Sequence, residues 1–357
     1  MNLPVDPLHN SCFPMDMGCG CHSHEAQGGT VSRTGRYLQV LFLVSALSMA
    51  VFHPRSEAYA TFAVIFSSIV QEAFPFMLLG TLIGGVMEVF LSREGLIRLL
   101  PKRKYDAIIL AALLGILLPV CECAIVPVVR KFLKKGMPLG SAVAFLLAGP
   151  IVNPLVFAST YVAYSFSFET AVLRVLAGFF IAVAAALVIE GCLTKTQALK
   201  ENPMVQVCSL CDPADIPLSF LQKLGAAFRH GALDFYDIGR FLIMGAFIAA
   251  ALQTFIPRQA FSSVMAGPVA AIVSMMVLAV ALNLCSEADA FIAASFRSVG
   301  LPFSAQLAFM VLGPMLDIKL ILMYLSVFKG KMIFLLSSTV ILFVFLSMVF
   351  LEFSGWQ

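Results

Sequence analysis

Long apolar runs separated by short polar stretches make up most of this 357-residue chain. A membrane-spanning helix needs about 20 mainly apolar residues. Nine runs are candidates for apolar helices, at 37–52, 60–91, 107–129, 139–163, 171–190, 237–256, 264–296, 303–327 and 332–353. The pattern predicts an all-α integral membrane protein, a polytopic helical bundle of seven to nine apolar segments.

Composition agrees with this prediction and excludes other classes of protein. The chain is 60% hydrophobic and 12% charged, whereas a soluble globular chain is about 45–50% apolar and about 25% charged. Such a chain lacks the charges needed to cover a water-soluble enzyme. The net charge is only +3, and the basic residues form short clusters between apolar runs. We therefore expect the lipid bilayer as a partner, and no nucleic acid.

Two copies of one unit account for most of the chain. A shift of 164 residues places Cys121 on Cys285 and Gly149-Pro150 on Gly313-Pro314, with eleven identities in the 46 gap-free columns from Ala111 to Val156. We predict a polar tail at 1–36, an extra transmembrane helix at 37–56, a first repeat at 57–190, a connector at 191–236 and a second repeat at 237–357. Three X-Pro steps in the connector favour a loop there.

Basic clusters bear on the orientation of the two repeats. Arg93, Arg98 and 102–104 precede the segment 107–129, and Arg130, Lys131, Lys134 and Lys135 follow it. Because basic flanks prefer the cytoplasm, this segment is expected to enter and return as a re-entrant hairpin broken at Pro119 and Pro127. The repeats are then inverted, as in many secondary transporters, and the N-terminus is cytoplasmic in a multi-pass cell-membrane protein. In the competing model all nine segments span and the repeats are parallel.

Cys121, Glu122 and Cys123 interrupt an apolar run and are the strongest chemical signal. A carboxylate at membrane depth costs at least about 2.5 kcal/mol, so Glu122 is expected to face a site. Thiolates are soft ligands for Cu(I), Zn and metalloids. Cysteine can also be a small buried apolar residue, but the combination of two thiols and an acid favours a binding function.

The second repeat carries a related cluster at Asn283, Cys285, Ser286, Glu287 and Asp289. Equivalent positions of two repeats can meet near the middle of the bilayer. The acids are candidate carriers of protons or cations. The alternative is that Glu287 and Asp289 are solvated at the mouth of a hairpin.

Gly149-Pro150 and Gly313-Pro314 are predicted helix breaks inside apolar runs, because proline removes a helical hydrogen bond. Each break precedes a polar residue, Asn153 in the first repeat and Asp317 in the second, and Lys319 is near enough to neutralise Asp317. These three side chains are further candidates for the transport site. A structural kink that lets helices cross closely is the alternative for the glycines.

Cysteine and histidine also occur in the polar segments. The tail contains Cys19, Cys21, His22 and His24, and the connector contains Cys208 and Cys211. These spacings are plausible for a soft metal ion, although chance clustering in the polar segments would produce them too. No cofactor is required by the pattern, and a soft metal ion at these cysteines is the one candidate.

At these motifs the sequence resembles the ArsP/YraQ-type predicted permeases, whose characterised members export trivalent organoarsenicals. The resemblance rests on 118–127 (LPVCECAIVP), 135–140 (KGMPLG), 148–154 (AGPIVNP) and 282–296 (LNLCSEADAFIAASF), and covers about 60–350. The family motif usually has glycine where this chain has Ala124. The resemblance implies a permease and no enzyme.

Together these features predict a secondary-active permease that exports a thiol-reactive metal or metalloid, such as a trivalent organoarsenical, coupled to protons. The sequence contains no Walker A motif that would indicate an ATP-driven pump. A Zn or Cu permease supplied by the tail and a membrane-embedded thiol redox or assembly factor are the alternatives. The native substrate, the coupling ion and the oligomeric state are left open.

Overall fold

The structure is a computed structural model that describes residues 57–90, 101, 103–117, 121–200, 220–255 and 267–354. In these residues the regular structure is helical, with one isolated β-bridge between Leu199 and Phe328. Five stretches are long and apolar enough to cross a membrane: Glu57–Met87, Phe168–Cys192, Leu224–Thr254, Phe303–Val327 and Gly330–Phe353. The predicted all-α, polytopic membrane fold is confirmed.

The first copy contains six α-helices in the described residues. They are α1 (Glu57–Phe90), α2 (Lys104–Leu117), α3 (Glu122–Lys134), α4 (Leu139–Ala148), α5 (Pro154–Ala163) and α6 (Phe168–Cys192). A short helix, α7 (Lys195–Ala198), follows. The second copy has α8 (Phe220–Phe255), α9 (Pro268–Leu282), α10 (Ala288–Ser295), a 3₁₀ turn at Phe296–Val299, α11 (Phe303–Met315), α12 (Ile318–Val327) and α13 (Gly330–Phe353).

Helix ends recur in the two copies at the shift seen in the sequence. Helix α2 begins 164 residues before α9, and both ends of α5 lie 164 residues before those of α12. The packing recurs as well: the rings of Phe132 and Phe145 are 5.7 Å apart and edge-on, and the equivalent rings of Phe296 and Phe309 are 6.4 Å apart and edge-on. The two copies therefore share one helical plan.

The connector prediction is wrong for its second half. The range 191–236 was expected to be a loop, but α8 begins at Phe220 and α7 occupies part of the first half. Polar residues such as Arg229, His230 and Asp234 interrupt the apolar pattern there. The helix is nevertheless extended because Asp234 has a cationic partner on α3 and because α8 packs closely against α1.

Three predicted helix breaks are displaced. Pro127 lies inside α3, which continues to Lys134, and Gly313 and Pro314 lie inside α11, which ends at Met315. A proline costs one backbone hydrogen bond, and the packed neighbours of these buried helices compensate for it. The break at Gly149-Pro150 is present, since α4 ends at Ala148 and α5 begins at Pro154.

Pro119, the remaining predicted break, lies outside the described residues, as do the tail 1–36 and the segment 37–56. On either side of Pro119, the expected single segment 107–129 is divided into α2 and α3. The expected segment 264–296 is divided in the same way into α9 and α10. Whether either pair forms a re-entrant hairpin stays a prediction.

Close helix crossings at glycine hold the two leading helices to their neighbours. A Cβ atom on Gly85 of α1 would lie 2.2 Å from the carbonyl oxygen of Ala227 on α8. A Cβ atom on Gly80 would lie 2.5 Å from the Cβ atom of Ala124 on α3. Small residues at such crossings let helix backbones approach closely in membranes. Helix α1 thus bridges α3 of its own copy and α8 of the other.

The basic residues at the end of α3 are not free flanks of a loop. Arg130 and Lys131 are 8% and 4% exposed, and Lys131 Nζ lies 2.6 Å from Asp234 Oδ2 on α8. Arg130 Nη1 lies 3.7 Å from both Asp234 Oδ1 and Asp237 Oδ2. Because these charges are paired inside the protein, they carry less weight as orientation signals than the sequence analysis gave them.

Residues 193–200, which follow α6, form a short strap that joins the C-terminal ends of α3 and α12. Lys195 Nζ donates to the Leu133 carbonyl near the C-terminus of α3, and Lys200 Nζ donates to the Leu325 carbonyl of α12 at 2.5 Å. Lysine at a helix C-terminus also complements the helix dipole. The opposite ends of α3 and α12 carry Glu122 and Asp317, so the two helices connect the strap to the site described next.

Candidate functional site

A narrow cleft lies where the first turn of α3 meets α1, α12 and the turn between α9 and α10. Cys121 precedes α3 and has an extended backbone, and Cys123 lies in the first turn of the helix. Both thiols line the same cleft. The cleft is open to its surroundings, and the space in it and at its mouth together amounts to about 260 Å³. Ten residues line it: Ile69, Glu72, Ala73, Phe76, Cys121, Glu122, Cys123, Asn283, Cys285 and Lys319.

Three ionisable side chains form a charged triad beside the cleft. Lys319 Nζ lies 3.5 Å from Glu122 Oε1 and 3.7 Å from Asp317 Oδ2. All three side chains are at most 3% exposed. A buried carboxylate needs a cationic or hydrogen-bonding partner, and here one lysine serves an acid from each copy.

Asn283 completes the surroundings of Asp317. It ends α9 with a left-handed backbone, at φ 53° and ψ 46°, a conformation that asparagine tolerates better than most residues. The side-chain amide of Asn283 is oriented so that its nitrogen faces the Asp317 carboxylate. This nitrogen donates to Asp317 Oδ2 at 2.8 Å and to Oδ1 at 2.9 Å. Asp317 Oδ1 also caps α12 by accepting from the Leu320 amide at 2.6 Å. Asp317 is therefore held by three kinds of donor.

The turn of the second copy is tied to Glu122 through Ser286. The Ser286 hydroxyl donates to Glu122 Oε2 at 3.4 Å, and its backbone carbonyl accepts from Arg174 Nη2 at 2.8 Å. Arg174 is on α6 and has no exposed surface. The Cys285–Ser286 turn is thus held on one side by the first copy's acid and on the other by the first copy's arginine.

Asp289 is buried one helical turn beyond Cys285. It is 1% exposed, and its Oδ2 has no hydrogen-bond partner. A Cβ atom on Gly313 would lie 2.7 Å from that oxygen, so the carboxylate rests directly on the glycine. The equivalent residues of the first copy, Ile125 and Gly149, pack in the same way, because a Cβ atom on Gly149 would overlap the Ile125 side chain.

Asn153 lies at the start of α5 and does not line the cleft. Its Oδ1 caps the helix by accepting from the Leu155 amide at 2.9 Å, whereas its buried Nδ2 has no partner. A side-chain cap of this kind is typical of Asn and Asp. It explains why Asn153 and Asp317 occupy equivalent positions after the two breaks.

The predicted set is therefore brought together only in part. Cys121, Glu122, Cys123, Asn283, Cys285 and Lys319 line one cleft, with Ser286 and Asp317 in contact with them. Glu287 is partly exposed at the same turn, while Asn153 and Asp289 are buried outside the lining. Glu72, in the middle of α1, lines the cleft as well. The candidate metal ligands of the tail and connector, Cys19, Cys21, His22, His24, Cys208 and Cys211, lie outside the described residues.

No preformed metal centre is present in the part of the chain that the structure describes. No three Cys, His, Asp or Glu side chains in it are placed so that they could hold one metal ion. The side chain of Cys123 interacts with those of Cys121 and Lys319. The cleft thus offers a thiol pair with a nearby cation, and a third thiol, Cys285, on the facing turn.

Comparison with known proteins decides the family. The model of the ArsP_1 family, described as a predicted permease, matches residues 58–353. The chain belongs to this permease family. The chain is 40% identical over 280 residues to the UPF0718 protein YcgR of Bacillus subtilis, and the match covers 78% of this chain and 93% of the relative.

Two further relatives extend the comparison. The ArsP_1 protein is 36% identical over 285 residues to a putative two-component membrane permease complex subunit of Streptococcus mutans, covering 80% of this chain and 93% of that protein. It is 24% identical over 173 residues to the UPF0718 protein YraQ of Escherichia coli, about half of each chain. No solved structure matches the chain.

Sequence reasoning missed Arg174 and the ion cluster at the end of α3. A charged residue within the apolar run 171–190 carries the same energetic argument that singled out Glu122, so the signal for Arg174 was available. Asp234 gave no such signal, because the segment that carries it was interpreted as a polar connector. Only the packing of α8 on α3 reveals its pairing with Lys131.

Proposed function

We propose that this ArsP_1 permease is a secondary-active exporter of a thiol-reactive metal or metalloid species, with trivalent organoarsenicals as the leading substrate class. One observation carries the proposal: Cys121, Cys123 and Cys285, contributed by both copies, line a single cleft inside a membrane permease. Thiolates are the ligands that soft metal and metalloid centres prefer. The small cleft suits a substrate of a few atoms.

The thiols are arranged for transient binding. A trivalent arsenic centre with one carbon substituent carries two further ligands, such as hydroxyl groups. Two cysteine thiols can replace them, each forming one As–S bond while its proton leaves with the displaced hydroxyl group as water. Cys121 and Cys123 supply such a pair, and Cys285 on the facing turn is available to exchange with one of them. Because no three ligands are preformed in the described residues, the substrate can leave by stepwise exchange of one thiol for another.

Lys319 and the acids supply the charge balance for such a step. The ammonium group of Lys319 is a polar neighbour of Cys123 and lies 3.5 Å from Glu122. Glu122, Glu287 and Asp289 are the candidate carriers of the coupling protons, in a permease whose N-terminus and connector lie on the cytoplasmic side of the cell membrane and whose two copies are inverted.

Transport into inside-out membrane vesicles tests the substrate and the site together. Uptake of a trivalent methylarsenical is expected to fall at least about tenfold in Cys121→Ser and in Glu122→Gln, because each removes a group that lines the cleft. Cys192→Ser and Glu169→Gln, at exposed positions of α6, are the matched controls and should transport normally. Unchanged uptake in both cleft variants would overturn the proposal, and uptake that persists after a protonophore collapses the pH gradient would exclude proton coupling.

The close thiol pair also supports a second candidate, a membrane-embedded thiol redox factor. Vicinal thiols can exchange electrons as a dithiol and a disulfide. Acid trapping followed by thiol alkylation during turnover distinguishes the two functions. A disulfide between Cys121 and Cys123 that accumulates favours the redox function, and thiols that stay reduced discard it.

A Zn or Cu permease is the remaining alternative, and resistance measurements address it. A host that lacks its own exporters is grown on organoarsenicals, antimonite, Zn and Cu with and without this chain. Protection against Zn or Cu alone, lost on deletion of residues 1–30, would replace the organoarsenical assignment. Protection against the arsenicals, retained in the deletion, would support it.

A further inference from the structure

Arg174 is the largest fully buried side chain of the described residues. Its guanidinium makes four hydrogen bonds: Nε and Nη2 donate to the Met310 carbonyl at 3.2 and 3.1 Å, Nη1 to Thr160 Oγ1 at 2.8 Å, and Nη2 to the Ser286 carbonyl at 2.8 Å. The arginine therefore joins α6 and α5 of the first copy to α11 and the Cys285–Ser286 turn of the second.

All of these acceptors are uncharged, although arginine keeps its charge in proteins. A buried cation needs a compensating anion, and no carboxylate lies within 4.0 Å of Arg174 in the described part of the chain. The compensating charge must therefore act over a longer distance.

Counting the buried charges around the cleft identifies that anion. Lys319 lies between Glu122 and Asp317 and is the direct ion-pair partner of both. Asp289 is the remaining fully buried acid, and its Oδ2 has no hydrogen-bond partner. Asp289 lies close to both carbonyls that Arg174 binds: it follows Ser286 by three residues, and its Oδ2 rests on Gly313, three residues after Met310 on α11. Its charge is therefore close enough to interact with that of Arg174.

Two further acids and one phenol act on the same charges. Glu287 and Tyr164 interact with Arg174, and Glu122 interacts with Asp289. Glu287 is only partly buried and Tyr164 is hydrogen-bonded to Gln306 Oε1 at 2.9 Å. Neither is as enclosed as Asp289, so the arginine and Asp289 are the pair that must balance within the protein.

We propose that Arg174 is a positioning residue of the transport site, which holds the Cys285–Ser286 turn against Glu122 and has Asp289 as its counter-charge. The connection is continuous: Arg174 binds the Ser286 carbonyl, the Ser286 hydroxyl binds Glu122, and Glu122 pairs with Lys319. Displacement of the arginine would release the turn that carries the third thiol. This role rests on the proposed function, because it assigns Cys285 to the substrate cleft.

Four variants separate the charge from the hydrogen bonds: Arg174→Gln, Asp289→Asn, the double variant and Arg174→Lys. Each is purified in detergent for thermal unfolding, which does not depend on any substrate. Arg174→Gln is expected to lower the melting temperature by several degrees, because it leaves Asp289 buried without a cation. The double variant is expected to regain at least half of that loss, and Arg174→Lys to lose less than Arg174→Gln because it keeps the charge. A double variant as unstable as Arg174→Gln would overturn the charge pairing.

The positioning role has its own measurement, which a purely structural arginine would not change. In a background that retains only Cys285 and Cys192, the rate at which a membrane-permeant maleimide labels each thiol is followed. The stable double variant is expected to change the labelling rate of Cys285 at least about threefold and to leave that of the exposed Cys192 unchanged. An unaltered rate at Cys285 would overturn the positioning role.

These outcomes are independent of the transport assay. If the Arg174 variants show the expected changes in stability and labelling but no tested substrate is transported, only the proposed function is refuted. Conversely, arsenical transport with an unaltered Cys285 labelling rate would leave the function in place and remove Arg174 from the site.

Discussion

Replacing Lys319 by methionine tests whether the charged triad stabilises the bundle. With an effective dielectric constant of about 20, the attractions of its ammonium to Glu122 at 3.5 Å and Asp317 at 3.7 Å are about 4.7 and about 4.5 kcal/mol. Desolvation of the three groups offsets much of this sum. Removing one partner of a buried pair costs about 3–5 kcal/mol, because the remaining charge is left uncompensated.

Thermal unfolding in detergent, followed by circular dichroism, measures the effect. At roughly 1.3 °C per kcal/mol for a chain of this size, Lys319→Met is expected to lower the melting temperature by about 4–7 °C. Adding Glu122→Gln removes one of the two acids left without a cation and should restore part of the loss. The ion pairs are therefore tested both by the fall in melting temperature of the single variant and by its partial recovery in the double variant.

Lys104→Met is the matched control, because Lys104 also pairs with an acid but is exposed. Its side chain is 77% exposed and lies 3.9 Å from Glu190 Oε1. An exposed ion pair contributes about 0–1 kcal/mol, so the control should shift the melting temperature by no more than about 2 °C. A shift in Lys319→Met no larger than that of the control would refute the reasoning.

Two further changes test the packing around the site. Asp234→Asn should lower the free energy of unfolding by about 3 kcal/mol, because it removes the carboxylate that lies 2.6 Å from the buried Lys131 Nζ. Chemical denaturation should show partial recovery in the charge-swapped variant Lys131→Asp/Asp234→Lys, and no recovery would show that the ion pair is not the cause. Gly313→Ala places a Cβ atom 2.7 Å from Asp289 Oδ2 and should lower the free energy of unfolding by about 1–3 kcal/mol through overpacking. Gly330→Ala, whose Cβ atom would meet open space, is the control in the same denaturation measurement. Equal stability of the two variants would contradict the close contact.

The local pattern predicted most helices of the described residues because each apolar run needs its own internal hydrogen bonds in lipid. It misplaced the breaks at Pro127 and at Gly313-Pro314 for a related reason. A proline predicts the loss of one hydrogen bond, but whether the helix ends there depends on the packing around it. Both α3 and α11 are almost wholly buried. Their packing carries α3 seven residues past Pro127 to Lys134, whereas it carries α11 only one residue past Pro314, to Met315.

The candidate site was predictable where an ionisable group interrupts an apolar run. Glu122, Asp289 and Asp317 were found in this way, and the repeat brought the positions of the two copies into correspondence. The partners of these acids were harder to find. The sequence predicts that Lys319 neutralises Asp317, two residues away. Its contact with Glu122 joins residues that are 197 positions apart in the sequence, and a local sequence pattern cannot predict contacts between such distant residues.

Composition, apolar periodicity and the internal repeat were sufficient to predict a duplicated helical membrane protein with a thiol at equivalent positions of the two copies, Cys121 and Cys285, and with acids close to both. These properties follow from local physics, since lipid excludes unpaired charges and unsatisfied backbone groups wherever they occur in a chain. The tertiary structure decided which charges neutralise each other: Lys319 with Glu122 and Asp317, and Lys131 with Asp234. Burial makes such pairing obligatory, but the choice of partner depends on how the two copies pack, which only the folded chain specifies.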